Sequence, residues 1–196
     1  MENKKTALVV EGGGQRGVFS FGITDTFIKR KYDPFDIYIG VSNGVAVLYW
    51  YLIRETANNL DKMLYAASGN YFSYKDIFTG KDIFKVHQMY SDGEKKFKPN
   101  IKKIKNNLNG KDFIAVVTDA LEANAEYHSF EENEWLPKMI ASGTLPVLVR
   151  TPSLINGRRK FDGGIADPLP AEKAYALGAK KIILIRTYEK KFRRKL

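Results

Sequence analysis

Cysteine is absent from the 196-residue chain, which excludes a disulfide framework and any thiolate chemistry. Long apolar runs are missing too: no stretch of about 18 uncharged apolar residues occurs, so we expect no transmembrane helix. The first apolar run, "TALVV", is too short for a signal peptide, and no small-residue cleavage site follows it. Together these absences predict a cytoplasmic location.

Acidic residues are in short supply relative to basic ones. The chain has 32 lysines and arginines against 22 aspartates and glutamates, and the net charge of +10 predicts anionic partners. We expect the basic C-terminus, "KKFRRKL", and a cluster of six lysines to make peripheral contact with an anionic membrane, the alternative being a solvated surface. The cluster consists of Lys95, Lys96, Lys98, Lys102, Lys103 and Lys105. No nucleic acid partner is expected.

The composition, with 44% apolar and 28% charged residues, is that of a single globular domain. Apolar runs at 6–10 and 37–41 have the length of buried strands, and each is followed by a helical pattern, at 18–30 and 42–55 respectively. This alternation predicts a parallel sheet covered by helices. Further strands are predicted over 113–117 and 180–186.

Other parts of the chain carry weaker patterns. Ile101, Ile104 and Leu108 lie at helical spacing with lysines between them, which predicts a short amphipathic helix. We also expect a helix over 131–141, interrupted by its proline, and another in "PAEKAYALGA". The remainder of the aromatic and basic segment 56–110 gives no clear periodicity.

A candidate nucleophile lies where the second predicted strand meets the second predicted helix. "GVSNG" is a G-x-S-x-G pattern running from Gly40 to Gly44, typical of a nucleophile elbow. A sharp strand-to-helix turn presents the Ser42 hydroxyl above the sheet, and glycines are needed where neighbouring backbone comes close. The N-terminus of the helix favours negative charge developing there. A plain helix N-cap is the alternative role for Ser42.

The glycine-rich loop "EGGGQRG" follows the first predicted strand. Its G-x-G-x-x-G spacing permits a nucleotide-binding alternative, but Asp33 and Asp36 precede the second strand, whereas a ribose-binding acid would follow it. We favour an oxyanion hole built from the backbone amides of Gly12, Gly13 and Gly14. Arg16 either orients this loop, meets a substrate phosphate, or is a surface residue.

The serine needs a base, and the chain has only two histidines, His87 and His128. Neither lies in a glycine-marked turn. Asp162, in "FDGGIADPLP", is the stronger candidate because two glycines follow it and mark a tight turn that can aim a carboxylate. In a pocket that excludes water, its basicity rises enough to take the serine proton directly.

The three motifs, in this order along the chain, resemble the patatin-like phospholipase family. The resemblance is firm over 5–55 and 111–187 and loose over 56–110, where the family varies in the elements that cover its active site. It implies one catalytic domain over 1–196 with a three-layer α/β/α fold and a mainly parallel central sheet. It further implies a serine esterase that hydrolyses phospholipid or lysophospholipid acyl esters through an acyl-serine intermediate, without metal or cofactor.

The family's roles transfer to this chain by motif position. The resemblance implies that Ser42 is the nucleophile and that Asp162 is the base of a Ser–Asp dyad. The supporting positions are the oxyanion loop Gly12, Gly13, Gly14, Arg16 and Gly17, the elbow glycines Gly40 and Gly44, and the aspartate-turn glycines Gly163 and Gly164.

Two features depart from the family pattern. Asn43 stands where the family usually has alanine, and it either narrows the oxyanion region or donates a hydrogen bond there. Family chains also commonly continue with further helices, so we expect a natural short form or a C-terminally shortened chain. Both features leave open a catalytically weak lipid-binding protein of the same fold.

Overall fold

The computed structural model describes residues 4–54 and 59–189, which build a seven-stranded sheet. The strands are β1 (Lys5–Val10), β2 (Ile37–Val41), β3 (Asp112–Asp119), β4 (Ala125–Ser129), β5 (Ser153–Ile155), β6 (Arg158–Asp162) and β7 (Ala179–Ile185). They lie in the order β5-β6-β3-β2-β1-β7, with β4 also paired to β3. β7, β1, β2 and β3 are parallel, whereas β4, β5 and β6 pair antiparallel.

Helices lie on both faces of this sheet. They are α1 (Gly17–Lys29), α2 (Asn43–Ile53), α3 (Asn59–Ala67), α4 (Val86–Phe97), α5 (Ile101–Leu108), α6 (Trp135–Ser142) and α7 (Ala171–Ala176). Leu8 and Val10 of β1 pack in the cluster that contains α2, while Ala7 and Val9 pack in the cluster that contains Ala174 of α7. Alternate residues of one buried strand therefore serve two cores, and the predicted three-layer α/β/α architecture is confirmed.

α2 is the central helix of the larger core. Every residue from Gly44 to Ile53 is buried, as expected for a helix that is apolar all round. Its neighbours include α1, α5 and α6. Because α2 starts immediately after Ser42, this burial fixes the position of the elbow.

The register of β3 determines where the end of β6 lies. β2 pairs with residues 112–116 of β3, β4 pairs with 114–118, and β6 pairs with 117–119. β4 and β6 both pair with residues 117 and 118 of β3, so they lie on opposite edges of that strand. β6 therefore lies on the same edge of β3 as β2, beyond residue 116, where the pairing with β2 ends. The C-terminal ends of β2 and β6 face each other at this point.

The structure corrects one helix prediction and confirms another. The helix expected over 131–141 begins at Trp135, and Pro137 does not interrupt it, because a proline in the first turn removes no helical hydrogen bond. The amphipathic helix at Ile101–Leu108 is confirmed, with its lysines exposed. The basic C-terminal segment 190–196 lies outside the described residues.

Candidate active site

The elbow at Ser42 is a strained turn. Ser42 lies between β2 and α2 with φ 54° and ψ −128°, a conformation that non-glycine residues rarely adopt. A side chain at Gly40 would place its Cβ 2.7 Å from the backbone of Val45, and one at Gly44 would lie 2.2 Å from the Val10 carbonyl oxygen. Both glycines are required by close backbone approach, as the sequence pattern predicts.

Ser142, at the end of α6, braces the elbow through two hydrogen bonds. Its fully buried hydroxyl accepts a hydrogen bond from the Ser42 N–H at 2.8 Å and donates one to the Val116 carbonyl at 2.7 Å. The strained turn is thereby tied to β3. No local pattern in the sequence indicates this role, although Ser142 lies within 111–187, where the family resemblance is firm.

We expect replacement of Ser142 by alanine to lower the free energy of unfolding by about 1–3 kcal/mol, because two buried backbone groups lose their partner. Ser20→Ala is the matched control: Ser20 is equally buried, and its hydroxyl has no hydrogen-bond partner among the described residues. That variant should be neutral or slightly more stable. Urea denaturation of both measures the difference, and equal losses would contradict the bracing role.

The glycine loop passes directly beside Ser42. A Cβ on Gly12 would lie 2.7 Å from the Ser42 Cβ, so only glycine permits this approach. Within the described parts of the chain, the amides of Gly12, Gly13 and Gly14 donate to no protein acceptor, and all three residues line the cavity at Ser42. Gly14 has φ 53°, a left-handed conformation that favours glycine. The loop thus presents backbone N–H donors to the cavity beside Ser42.

Asn43 connects the loop to the elbow. Its amide nitrogen donates a hydrogen bond of 2.8 Å to the Gly14 carbonyl. A Cβ on Gly17 would fall 1.8 Å from that same nitrogen, so Gly17 makes room for Asn43. Of the two effects expected for Asn43, the structure shows the hydrogen bond, made to the loop's backbone.

The far side of the loop is anchored at the end of β7. The buried Glu11 carboxylate accepts a hydrogen bond of 2.7 Å from the Thr187 N–H, and the Thr187 hydroxyl donates to the Gly12 carbonyl. Arg16 lies over the ring of Tyr188 at 4.1 Å, and both residues line the cavity. Arg16 is therefore held at the cavity wall with its guanidinium exposed.

Asp162 is the last residue of β6 and is buried. Its Oδ1 accepts a hydrogen bond of 2.7 Å from the Gly164 N–H, which turns the carboxylate back over the following loop. A Cβ on Gly163 would lie 2.2 Å from the Val116 carbonyl oxygen, and one on Gly164 would lie 3.7 Å from Val41 Cγ1. The aspartate turn therefore packs against β3 and against the residue that precedes Ser42.

A buried lysine fixes β6 in this position. Lys160 Nζ lies 2.6 Å from a carboxylate oxygen of Asp119 and 2.8 Å from one of Glu126. The hydrogen bond from Lys160 holds the pKa of Asp119 below its usual range. Since Asp119 is on β3 and Glu126 on β4, the pairs join three strands.

One cavity of about 470 Å³ brings the motifs together, since Ser42, Asp162 and the glycine loop all line it. Most of its remaining wall is apolar: Val41, Met63, Ala66, Phe72, Phe84, Val86, Met89, Leu145, Ile165 and Pro168. Tyr90 also lines it, and burial, with a smaller contribution from the negative charge of Asp162, raises the pKa of its hydroxyl. The tyrosine is thus neutral at physiological pH.

Neither histidine is part of this cavity. His87 hydrogen-bonds Ser153 at 3.0 Å, and His128 on β4 pairs with Glu126 at 2.9 Å. Among the residues that the structure describes, no group of three or more His, Asp or Glu side chains is arranged to hold a metal ion. No described helix has the length and hydropathy needed to cross a membrane.

The two aspartates weighed for a nucleotide-binding fold are used elsewhere. Asp33 forms ion pairs with Arg54 and Lys111, and Asp36 accepts a hydrogen bond of 2.8 Å from the N–H of Thr6, near the start of β1. The glycine loop follows the opposite end of that strand. Neither carboxylate is placed to bind a ribose at the loop.

Known proteins resemble this chain in sequence and in fold. Residues 8–175 match the family described as patatin-like phospholipase. The uncharacterized protein YjjU of Escherichia coli (strain K12) is 26% identical over 185 residues, which cover 93% of this chain and 52% of that protein. The crystal structure of VipD from Legionella pneumophila has a similar fold, with a TM-score of 0.55 and 14% identity over 92% of this chain and 49% of VipD.

This chain therefore spans about half the length of each of these two relatives. The family match, in contrast, covers most of the chain and includes every residue of the three motifs. On this evidence the chain belongs to the patatin-like phospholipase family.

Proposed function

We propose that the chain is a serine acyl hydrolase that cleaves acyl esters of phospholipids or lysophospholipids with a Ser42–Asp162 dyad. The observation that carries the proposal is the apolar cavity lined by a strained serine, a buried carboxylate and three glycine amides that donate to no acceptor among the described residues. Ser42 attacks the ester carbonyl while Asp162 accepts its proton, and the amides of Gly12, Gly13 and Gly14 stabilise the oxyanion. When the tetrahedral intermediate collapses, the ester C–O bond breaks and the alcohol leaves with the proton held by Asp162. Water, deprotonated by Asp162, then attacks the acyl-serine, which releases the fatty acid and returns the proton to Ser42.

The register of the sheet supports the dyad. β2 ends at Val41, opposite Val116, and β6 ends at Asp162, opposite Val117, on the same edge of β3. The serine and the carboxylate therefore come from two strand ends that face each other. Ser42 also begins α2, whose N-terminal dipole favours the negative charge that develops during attack.

The direct test is release of fatty acid by the purified chain from phosphatidylcholine, lysophosphatidylcholine and a dissolved p-nitrophenyl ester. We expect turnover of the dissolved ester and of at least one lipid, because the cavity is apolar and the three motifs line it. Lipid binding with no turnover of any ester would favour the catalytically weak lipid-binding alternative. Stabilisation by a nucleotide without ester hydrolysis would favour the nucleotide-binding alternative.

Membrane contact through the lysine cluster is part of the proposal. All six lysines are exposed. Lys95 and Lys96 lie on the last turn of α4, Lys98 follows that helix, and the other three lie on the outer face of α5. Ile104 and Leu108 of α5 point into the core, which leaves its lysines on the solvent side. On α4, the Lys96 ammonium also lies 4.4 Å from the centre of the Tyr65 ring. Each basic residue near an anionic surface contributes about 1 kcal/mol of binding free energy. Peripheral attachment of this kind is compatible with the cytoplasmic location predicted from the sequence.

A further inference from the structure

The segment that we call the flap, residues 72–84, exposes large apolar side chains. Tyr74 is 76% exposed and Phe78 is 91% exposed, and Ile77 between them is also exposed. The ends of the flap are closed by an antiparallel bridge between Phe72 and Phe84, whose rings stack at 4.5 Å. An ordered loop that holds its apolar tips in water is typical of an interaction surface.

The flap is tied to a second loop, residues 145–151, so that the two form one surface. The Asp82 carboxylate accepts hydrogen bonds from the N–H groups of Arg150, at 2.6 Å, and Thr151, at 2.8 Å. The Arg150 guanidinium donates to the Ile77 carbonyl at 3.2 Å. The second loop adds Val147, which is 78% exposed and has φ 71°, a strained conformation for a β-branched residue.

This surface is continuous with the cavity of the candidate active site. Phe72 and Phe84 from the flap and Leu145 from the second loop line the cavity that contains Ser42 and Asp162. The exposed tips therefore belong to two segments whose other residues form part of the cavity wall.

The charges of the surface favour an anionic partner. Four basic side chains lie on or beside the flap and the second loop, namely Lys75, Lys81, Lys85 and Arg150. The only acids within these segments are Asp76 and Asp82, and both are engaged: Asp76 bonds Thr79 and pairs with Lys85, while Asp82 holds the second loop. Aromatic tips next to basic side chains match the chemistry of a water–bilayer interface.

We propose that the tips of Tyr74, Ile77, Phe78 and Val147 dock on an anionic phospholipid membrane and hold the cavity mouth against it. The inference rests on the proposed lipid substrate. In this proposal the four apolar tips insert into the bilayer. The lysine cluster on α4 and α5 does not supply this step, because lysine side chains end in a charged group.

The test uses Ser42→Ala protein, so that vesicles stay intact, in cosedimentation with phosphatidylcholine vesicles that contain or lack phosphatidylglycerol. Phe78→Ser in this background is expected to weaken binding to the anionic vesicles about tenfold, since a phenylalanine side chain is no longer buried. Leu121→Ser is the matched control, because Leu121 is 87% exposed on another loop and does not line the cavity. It should bind as the parent does.

Hydrolysis of a dissolved p-nitrophenyl ester separates docking from catalysis. Phe78 does not line the cavity, so Phe78→Ser with Ser42 intact should hydrolyse this ester as the wild type does. Vesicle binding without any ester hydrolysis would reject the proposed function and leave the docking surface standing. Equal vesicle binding by Phe78→Ser and Leu121→Ser, or no binding by the parent, would overturn the docking proposal. Equal binding to neutral and anionic vesicles would overturn its electrostatic part.

Discussion

Replacing Ser42 by alanine is expected to abolish ester hydrolysis, with a loss of about 10⁴-fold or more, and to abolish covalent labelling by a fluorophosphonate probe. The hydroxyl is the only part of the side chain that alanine removes, and the glycine amides and Asp162 stay in place. Labelling is the sharper readout, because the probe reacts with an activated serine whatever lipid the enzyme prefers. Gel fluorescence of wild type and variant measures it directly.

A second substitution at the same position controls for folding. Ser42→Gly also removes the hydroxyl, but glycine adopts the observed φ of 54° and ψ of −128° without strain. We therefore expect the glycine variant to be inactive and yet more stable to unfolding than Ser42→Ala by about 1 kcal/mol. Labelling that persisted in either variant would show that another residue is the reactive nucleophile.

The sequence predicted the elbow well because its determinants are local. "IYIGV" has the length and apolar content of a buried strand, and the structure has β2 at Ile37–Val41. Gly40 approaches the backbone of Val45 within the same strand–helix unit, and Gly44 approaches the carbonyl of Val10 on the adjacent β1. α2 is apolar on all sides, so it is stable only when it is buried. The start of this helix was therefore predictable, and so was the position of Ser42 just before it.

The approach of Asp162 to the elbow was less accessible from sequence. β6, "RRKFD", carries three basic residues and gives no buried-strand pattern, because its burial of Lys160 depends on Asp119 and Glu126 far away in the chain. β4 and β5 are similarly short or polar. Ser142 is 100 residues from Ser42, so its brace exists only after the sheet has formed. Long-range pairing, rather than local propensity, decides these positions.

The structure of residues 59–110 was also only partly predictable from the sequence. The described part of 59–110 contains three α-helices and short 3₁₀ turns, and only α5 has the periodicity that the sequence analysis used. Its aromatic residues divide between two environments: Tyr71 is buried, whereas Tyr74 and Phe78 are exposed. Composition alone gave no means of separating the two, because the burial of Tyr71 depends on tertiary contacts such as that of its hydroxyl with Asp92 of α4.

Replacing Asp162 by asparagine is expected to lower kcat on a dissolved ester by about 10²–10⁴-fold while leaving the fold intact. The amide has nearly the same size, and its oxygen still accepts the hydrogen bond from Gly164, so packing at the end of β6 is kept. What the variant loses is the ability to take the proton from Ser42. Steady-state kinetics and a thermal melt of the same preparation separate the catalytic loss from any loss of stability.

Asp167→Asn provides the matched control, since Asp167 accepts a hydrogen bond of 2.7 Å from the Tyr127 hydroxyl and does not line the cavity. The same chemical change five residues along should leave turnover close to that of the wild type. Near-normal turnover in Asp162→Asn would contradict the dyad and direct attention to another proton acceptor. His128 is a poor substitute, because it pairs with Glu126 outside the cavity, so His128→Ala should remain active in either case. The carboxylate is thus the group whose removal distinguishes a Ser–Asp mechanism from a histidine-based one in this fold.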